Sequence, residues 1–206
     1  MKIQTENLSK RFNYEWIFRN LSYEFSGGNI YAITGPNGSG KSTLLSVISG
    51  QIPPTSGSIH YSNADSAISS EDIYKELTIA APYMDLMEEL TLEEHLRFHI
   101  RMRPLRDQIS VDDLIDIMYL QNARTKYIGN FSSGMKQRVK LGLAFFSISR
   151  IVILDEPLSN LDKEAALWYH KHLAGLPADV LTIIASNNPE EYPESAINVN
   201  VSDYKK

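Results

Sequence analysis

The stretch Gly35-Pro36-Asn37-Gly38-Ser39-Gly40-Lys41-Ser42-Thr43 constrains this chain more than any other. It fits G-x-x-x-x-G-K-[ST], the phosphate-binding P-loop pattern. Before it runs Ile30–Thr34, apolar and β-prone; after it, Leu44–Ser49 continues naturally as a helix. Strand, glycine loop, helix is the context such a loop requires. Glycines let the backbone bend around an anion and turn several N–H groups inward. The helix that follows aims its positive end at the same point. Lys41 is placed to reach the β- and γ-phosphates and the Ser42 hydroxyl to ligate Mg²⁺. Gly35, Asn37, Gly38, Ser39, Gly40 and Thr43 complete the cradle. A chance Gly-Lys-Ser in a turn would lack these flanks, and the stretch predicts a site for a nucleoside triphosphate.

A second element fits the first. Ile151-Val152-Ile153-Leu154-Asp155-Glu156-Pro157 is an apolar run ending in two acids. It reads as a fully buried central strand, whose carboxyl end is where ligands bind in an open α/β sheet. Asp155 at that edge suits the Mg²⁺ shell, and Glu156, one residue on, suits a base that polarises an attacking water. Alone, the two acids would equally fit a strand turning into a loop; beside a P-loop they read as the other half of one site.

The remaining chain is ordinary for a protein with a full core: 206 residues, 43% hydrophobic and 22% charged. A net charge of -5 with no long Lys/Arg run argues against nucleic acid as the main partner. With no cysteine, disulfides, thiolate metal sites and a cysteine nucleophile are excluded. Met1–Asn7 lacks the apolar core of a signal peptide, and runs such as Leu141–Phe146 are far too short to cross a bilayer.

Along the chain, Ile3–Phe25 reads as short strands broken by a polar turn near Arg11–Glu15, and Ser26–Asn29 as a turn feeding the strand before the loop. Ser58–Tyr61 reads as a strand, Ser62–Asp72 as a loop and Ile73–Ala81 as a further strand. From Thr91 the period changes to that of helices: Leu92, His95, Leu96 and His99, then Val111, Leu114, Ile115 and Met118 opened by Ser110. Strands return at Ile151–Leu154 and Val180–Ala185, with a helix over Asp162–Leu173 between them. The histidines, His60, His95, His99, His170 and His172, have no acid or cysteine cluster beside them and read as structural or surface residues. The Glu88-Glu89 and Glu93-Glu94 pairs read as a solvated helix start.

Between the two site elements lies Phe131-Ser132-Ser133-Gly134-Met135-Lys136-Gln137-Arg138, and after the acids Ser159-Asn160-Leu161-Asp162. With the P-loop upstream, this order of motifs resembles the ATP-binding cassette (ABC) ATPases over essentially the whole chain. Ser132, Gly134, Gln137 and Arg138 match the family's signature motif, Ser159–Asp162 its D-loop, and Phe12 the aromatic that stacks on adenine. The resemblance implies an α/β fold: a P-loop NTPase core with a mostly parallel sheet, an N-terminal antiparallel β part and a helical subdomain inserted at about 85–146 of a single domain, 1–206. It implies ATP and Mg²⁺ as ligands, with Ser132 and the N–H of Gly134 serving the ATP of a second cassette in a two-fold arrangement, for which a homodimer is the commonest form and an unlike partner cassette the alternative. It further implies a membrane-spanning transporter subunit as partner, and a cytoplasmic place on the inner face of the cell membrane through that subunit. The short cassettes of small export systems are the nearest in outline.

Two positions depart from the family. A glutamine is usual where the helical subdomain begins, and here Pro82 takes its place; a histidine is usual after the last core strand, and here Asn187 stands there. Asn187 keeps a hydrogen-bonding group toward the γ-phosphate but carries no charge, so the resemblance gives it, with Glu156, a catalytic place. A hydrolysis-impaired regulatory cassette, working as a nucleotide-gated binding module, is the alternative these departures favour; Lys41, Asp155 and Glu156 oppose it.

Overall fold

Two long antiparallel strands open the chain, β1 (Lys2–Phe12) and β2 (Glu15–Ser26). They pair from Lys2 with Ser26 to Phe12 with Glu15, through a tight turn at Asn13-Tyr14. The short strands expected there are continuous: what breaks the alternation is a set of register shifts between Thr5 and Arg11. Asn7 within the shifts and Asn13 in the turn take φ of 48° and 52°, values asparagine tolerates better than most residues. β1 also pairs antiparallel with β4 (Ser56–Asn63), and β4 with β5 (Ser66–Ile68). Part of the polar stretch read as a loop is therefore the return of a hairpin. The computed structural model describes residues 1–64 and 66–205, so Asp65 of that stretch lies outside the described residues. Ile3, Leu8, Phe18, Leu21, Phe25 and Tyr61 of these strands are buried, each worth roughly 1.5–3 kcal/mol on full burial.

The second sheet leads into the P-loop and the two acids. β3 (Ile30–Thr34), β7 (Ile151–Asp155), β8 (Leu181–Ala185) and β9 (Ile197–Asn200) lie in the order β7-β8-β3-β9, and each neighbouring pair is parallel. Every residue of β7 and β8 is buried, which is why both read as unbroken runs of Val, Ile and Leu rather than alternating ones. The register sets Asp155 opposite Ala185 and Ala185 opposite Ile33. One row thus crosses the sheet at the carboxyl ends of three strands. β9 escaped the sequence reading: within Ile197–Asn200 only Val199 is buried, too little for a pattern. Helix α1 (Lys41–Ile48) follows the P-loop and buries Leu44, Leu45, Val47 and Ile48; the Tyr61 hydroxyl donates to the Ile48 carbonyl at 2.9 Å.

These parts, Met1–Leu77 with Ser149–Glu156 and Pro177–Lys206, form one compact unit; Thr78–Ile148 with Pro157–Leu176 form another. The chain passes from the first to the second within β6 (Leu77–Ala80). Ile73–Lys75, expected as the start of a strand, is a 3₁₀ turn instead.

The second unit is helical: α2 (Leu92–Met102), α3 (Val111–Ile117), α4 (Ser133–Phe146) and α5 (Lys163–Ala174). Each starts on a residue whose side-chain oxygen accepts a backbone N–H, namely Thr91, Ser110, Ser132 and Asp162. Thr91 with Glu94 and Ser110 with Asp113 close full capping boxes. Phe145 packs against Trp168 and Tyr169 at 6.1 and 5.9 Å between ring centroids, and the Trp168 indole donates to the Ile117 carbonyl at 2.7 Å. The acid pairs are engaged rather than merely solvated. Glu88 pairs with Lys136, and Glu93 accepts from both Arg97 and Arg124 at 2.6 Å. Those two guanidinium groups hold the Glu93 carboxyl down at about 2. His95 is buried, and His99 meets the Ser147 hydroxyl at 2.8 Å; burial lowers His99 to about 4 and keeps it neutral.

Candidate functional site

The row Ile33–Ala185–Asp155 assembles the first site, because the loops leaving these residues carry the functional groups. From β3 the chain enters the P-loop two residues after Ile33. From β7 it turns at Glu156, whose φ is 44° and whose N–H donates to the Ala185 carbonyl at 2.9 Å. From β8 it runs through Ser186, whose N–H donates to Ile33 O at 3.1 Å, to Asn187.

The loop closes on itself before the helix starts: Ser39 N donates to Pro36 O at 3.0 Å and Leu44 N to Gly40 O at 2.8 Å. Gly40 is the N-cap of α1 at φ 106°, without a side-chain cap, so the first helical N–H groups stay open to an anion. A side chain could not replace that hydrogen: a Cβ on Gly40 would lie 2.3 Å from Ile17 Cγ2. The Lys41 ammonium donates to the carbonyls of Gly35 at 2.9 Å and Pro36 at 3.4 Å. Ile17, Asn37, Gly38, Gly40, Lys41, Ser42, Thr43 and Glu156 together line a cleft of about 260 Å³. The sequence-predicted Lys41, Ser42 and Glu156 are thus brought to one cavity.

Asp155 lies beneath it, 2% exposed. Burial pushes its carboxyl up from the usual aspartate value, and the neighbouring Glu156 adds to this; a hydrogen bond with Ser42 and the charge of Lys41 act the other way. Its Oδ1 is buried and has no hydrogen-bond partner among the described residues. A hard oxygen left over beside a serine hydroxyl is the donor set that Mg²⁺ prefers, so the residues present fit that ion.

Other expected residues fall differently. Phe12 is 49% exposed at the end of the β1–β2 hairpin, with the Lys10 ammonium 5.1 Å from its ring centroid, and is not among the residues lining the cleft. Ile17, from the same hairpin, does line it; no residue-type signal marked it, since only the fold brings β2 over Gly40. The Asn187 amide donates to Asn37 Oδ1 at 2.6 Å. In the other unit, the carbonyls of Ala81 and Pro82 accept from the Lys140 ammonium at 3.1 and 3.2 Å. Lys140 was likewise unmarked in the sequence.

The signature segment builds a second concavity within the helical unit. Ser132 caps α4 by accepting from Met135 N at 3.2 Å. Gly134 has no room for a side chain, because a Cβ there would sit 2.8 Å from the Asn160 carbonyl. Both line a cleft of about 600 Å³ with Tyr119, Arg138, Asn160 and Asp162. Arg138 stacks on Tyr119 at 5.7 Å and approaches Asp162 at 3.7 Å, while Gln137 donates to Pro157 O at 2.9 Å. No helix among the described residues is long and apolar enough to cross a membrane.

Comparison with known proteins agrees with this geometry. A family model described as ABC transporter matches residues 18–159. The uncharacterized ABC transporter ATP-binding protein YybJ of Bacillus subtilis is 30% identical over 195 residues, covering 92% of this chain and 86% of that protein. ATP-binding cassette sub-family A member 2 of Rattus norvegicus is 34% identical over 72% of this chain, which spans only 6% of that longer protein. Among solved structures, that of MJ0796, titled a dimeric bacterial ABC transporter cassette, superposes with a TM-score of 0.81 over 97% of this chain and 94% of that one, at 18% identity.

Proposed function

The chain belongs to the ABC transporter family, and from that premise we propose that it binds MgATP in the cleft of Lys41 and Glu156 and hydrolyses it. We propose further that it does so as a dimer with a second cassette, driving a separate membrane-spanning subunit from the cytoplasmic face. The observation that carries the reading is the convergence of Lys41, Ser42 and Glu156 on one cavity above a buried Asp155.

Each group has a defined task. The open N–H groups at the start of α1 and the Lys41 ammonium take the phosphates, the ammonium exchanging loop carbonyls for phosphate oxygens. Asp155 and Ser42 would hold Mg²⁺, which when bound neutralises charge on the β- and γ-oxygens. Glu156 accepts a proton from the water that attacks the γ-phosphorus, and ADP leaves with the electron pair of the broken P–O bond. Ser132 and Gly134 are assigned to the partner cassette's ATP, which is supported by the family membership and by their place at the N-terminus of α4, lining the larger cleft.

Replacing Glu156 by Gln tests the reading. The variant should bind ATP as the wild type does, hydrolyse it about 10²–10⁴-fold more slowly, and accumulate as an ATP-held dimer on size-exclusion chromatography. Turnover at the wild-type rate would remove Glu156 from the chemistry. Wild-type turnover no faster than this variant's, with the membrane subunit present, would leave a nucleotide-gated binding module instead.

A further inference from the structure

Resting on this reading of the site, we propose that Asn187 is a positioning residue that works through Asn37. Its amide holds the outer turn of the P-loop in place before nucleotide arrives, rather than acting on the γ-phosphate itself. The two asparagines lie 150 residues apart in the chain and meet through the 2.6 Å bond from Asn187 Nδ2 to Asn37 Oδ1.

The two ends of that bond differ in rigidity. Asn187 follows β8, which is buried along its length, and its neighbours are braced. Ser186 N is fixed to Ile33 O, the Ser186 hydroxyl accepts from Asn188 N at 2.8 Å, and Asn188 Oδ1 accepts from Glu190 N at 3.0 Å. Asn37 belongs to the exposed turn of the loop. Pro36, Asn37 and Gly38 are exposed, Gly35 and Gly38 take φ of 140° and 75°, and nothing lies within 4 Å of where a Gly38 side chain would begin. The bond therefore ties the exposed turn to the braced segment that follows β8. Ordering that turn in advance removes part of the entropy otherwise lost on binding, so the benefit falls on nucleotide affinity. An amide donates and accepts hydrogen bonds but does not ionise near neutral pH, so this role draws only on what asparagine possesses.

The test is a double-mutant cycle of Asn37→Ala, Asn187→Ala and both together, in the full chain. Calorimetric MgATP affinity and steady-state phosphate release are measured for each, with hydrogen exchange of the nucleotide-free proteins. The single variants should weaken MgATP binding alike, by about 3–10-fold, the worth of one net side-chain hydrogen bond. The double variant should bind no more weakly than either. KM should rise with affinity loss while kcat stays within about twofold, the mark of lost ground-state binding. Amides 37–40 should exchange faster in nucleotide-free Asn187→Ala. Independent, additive losses would overturn the proposal, as would a tenfold drop in kcat at unchanged affinity in Asn187→Ala, which would place Asn187 on the phosphate. A wild-type protein that fails to bind MgATP would instead overturn the site assignment as a whole.

Discussion

Gly40 is the residue at which fold and chemistry constrain each other most tightly. Its φ of 106° opens the N-terminus of α1 toward an anion, and its missing side chain admits Ile17 from the neighbouring hairpin. Gly40→Ala therefore incurs two separable costs. Holding alanine at such a φ is worth roughly 1–3 kcal/mol of strain; crowding a packed contact adds about 1–3 kcal/mol more. Urea unfolding should show the sum in Gly40→Ala. Adding Ile17→Ala removes the atom the new Cβ strikes, so it should return the crowding share and leave the strain. A double variant no more stable than Gly40→Ala would show that the contact with Ile17 is not what excludes a side chain. Asp155 illustrates the same coupling in another form. A buried carboxylate oxygen without a hydrogen-bond partner is costly for the fold, and on the reading proposed above the metal it fits would offset that cost.

At the scale of elements, the start of α2 is held by a charge clasp, with Glu93 between Arg97 and Arg124, and Arg124 reaching on to Asp112 in the first turn of α3. The clasp lowers the Glu93 carboxyl from 4.5 to about 2. A depressed folded-state value stabilises the fold above the unfolded value and ceases to do so as pH falls through the folded one. Glu93→Gln should lower the urea midpoint at pH 7 and at pH 5, and the difference from wild type should narrow progressively below about pH 4.5. A gap that stays constant down to pH 3 would mean that packing, not charge, is what the substitution removes. Elements of this kind were legible in the sequence where a local signal announced them. Ser110 before an amphipathic run marked α3, glycines and a lysine marked the P-loop, and an apolar run ending in two acids marked β7. What stayed hidden lacks local expression. β5 and β9 are short edge strands with little burial, β1 and β2 hide their continuity behind bulges, and the partners Ile17–Gly40, Asn37–Asn187 and Lys140–Pro82 meet only once the chain has folded. The acidic pairs misled for the same reason, since a glutamate gripped by two arginines looks like a solvated one until its partners are known.

At the scale of the whole molecule, the concavity at the start of α4 is the surface on which the dimer proposal turns. An arginine at position 132 would fill the concavity beside Gly134 and Asn160 while leaving the P-loop untouched. Ser132→Arg, placed in the Glu156→Gln background, should bind ATP with wild-type affinity yet elute as a monomer on size-exclusion chromatography. Dimers that persist with ATP would show that this face does not meet the partner. Within the first unit, the row through Ile33, Ala185 and Asp155 also governs how the chain tolerates insertions and deletions. The groups proposed for the site stand at set offsets past that line, one residue for Glu156 and two for Asn187. An extra residue there advances an extended backbone by about 3.3 Å, enough to carry a side chain out of reach of its target while the core beneath stays packed. The protein is in this sense a gauge cut to length: inside the strands a substitution acts through volume, but between the row and the groups placed beyond it what matters is residue count.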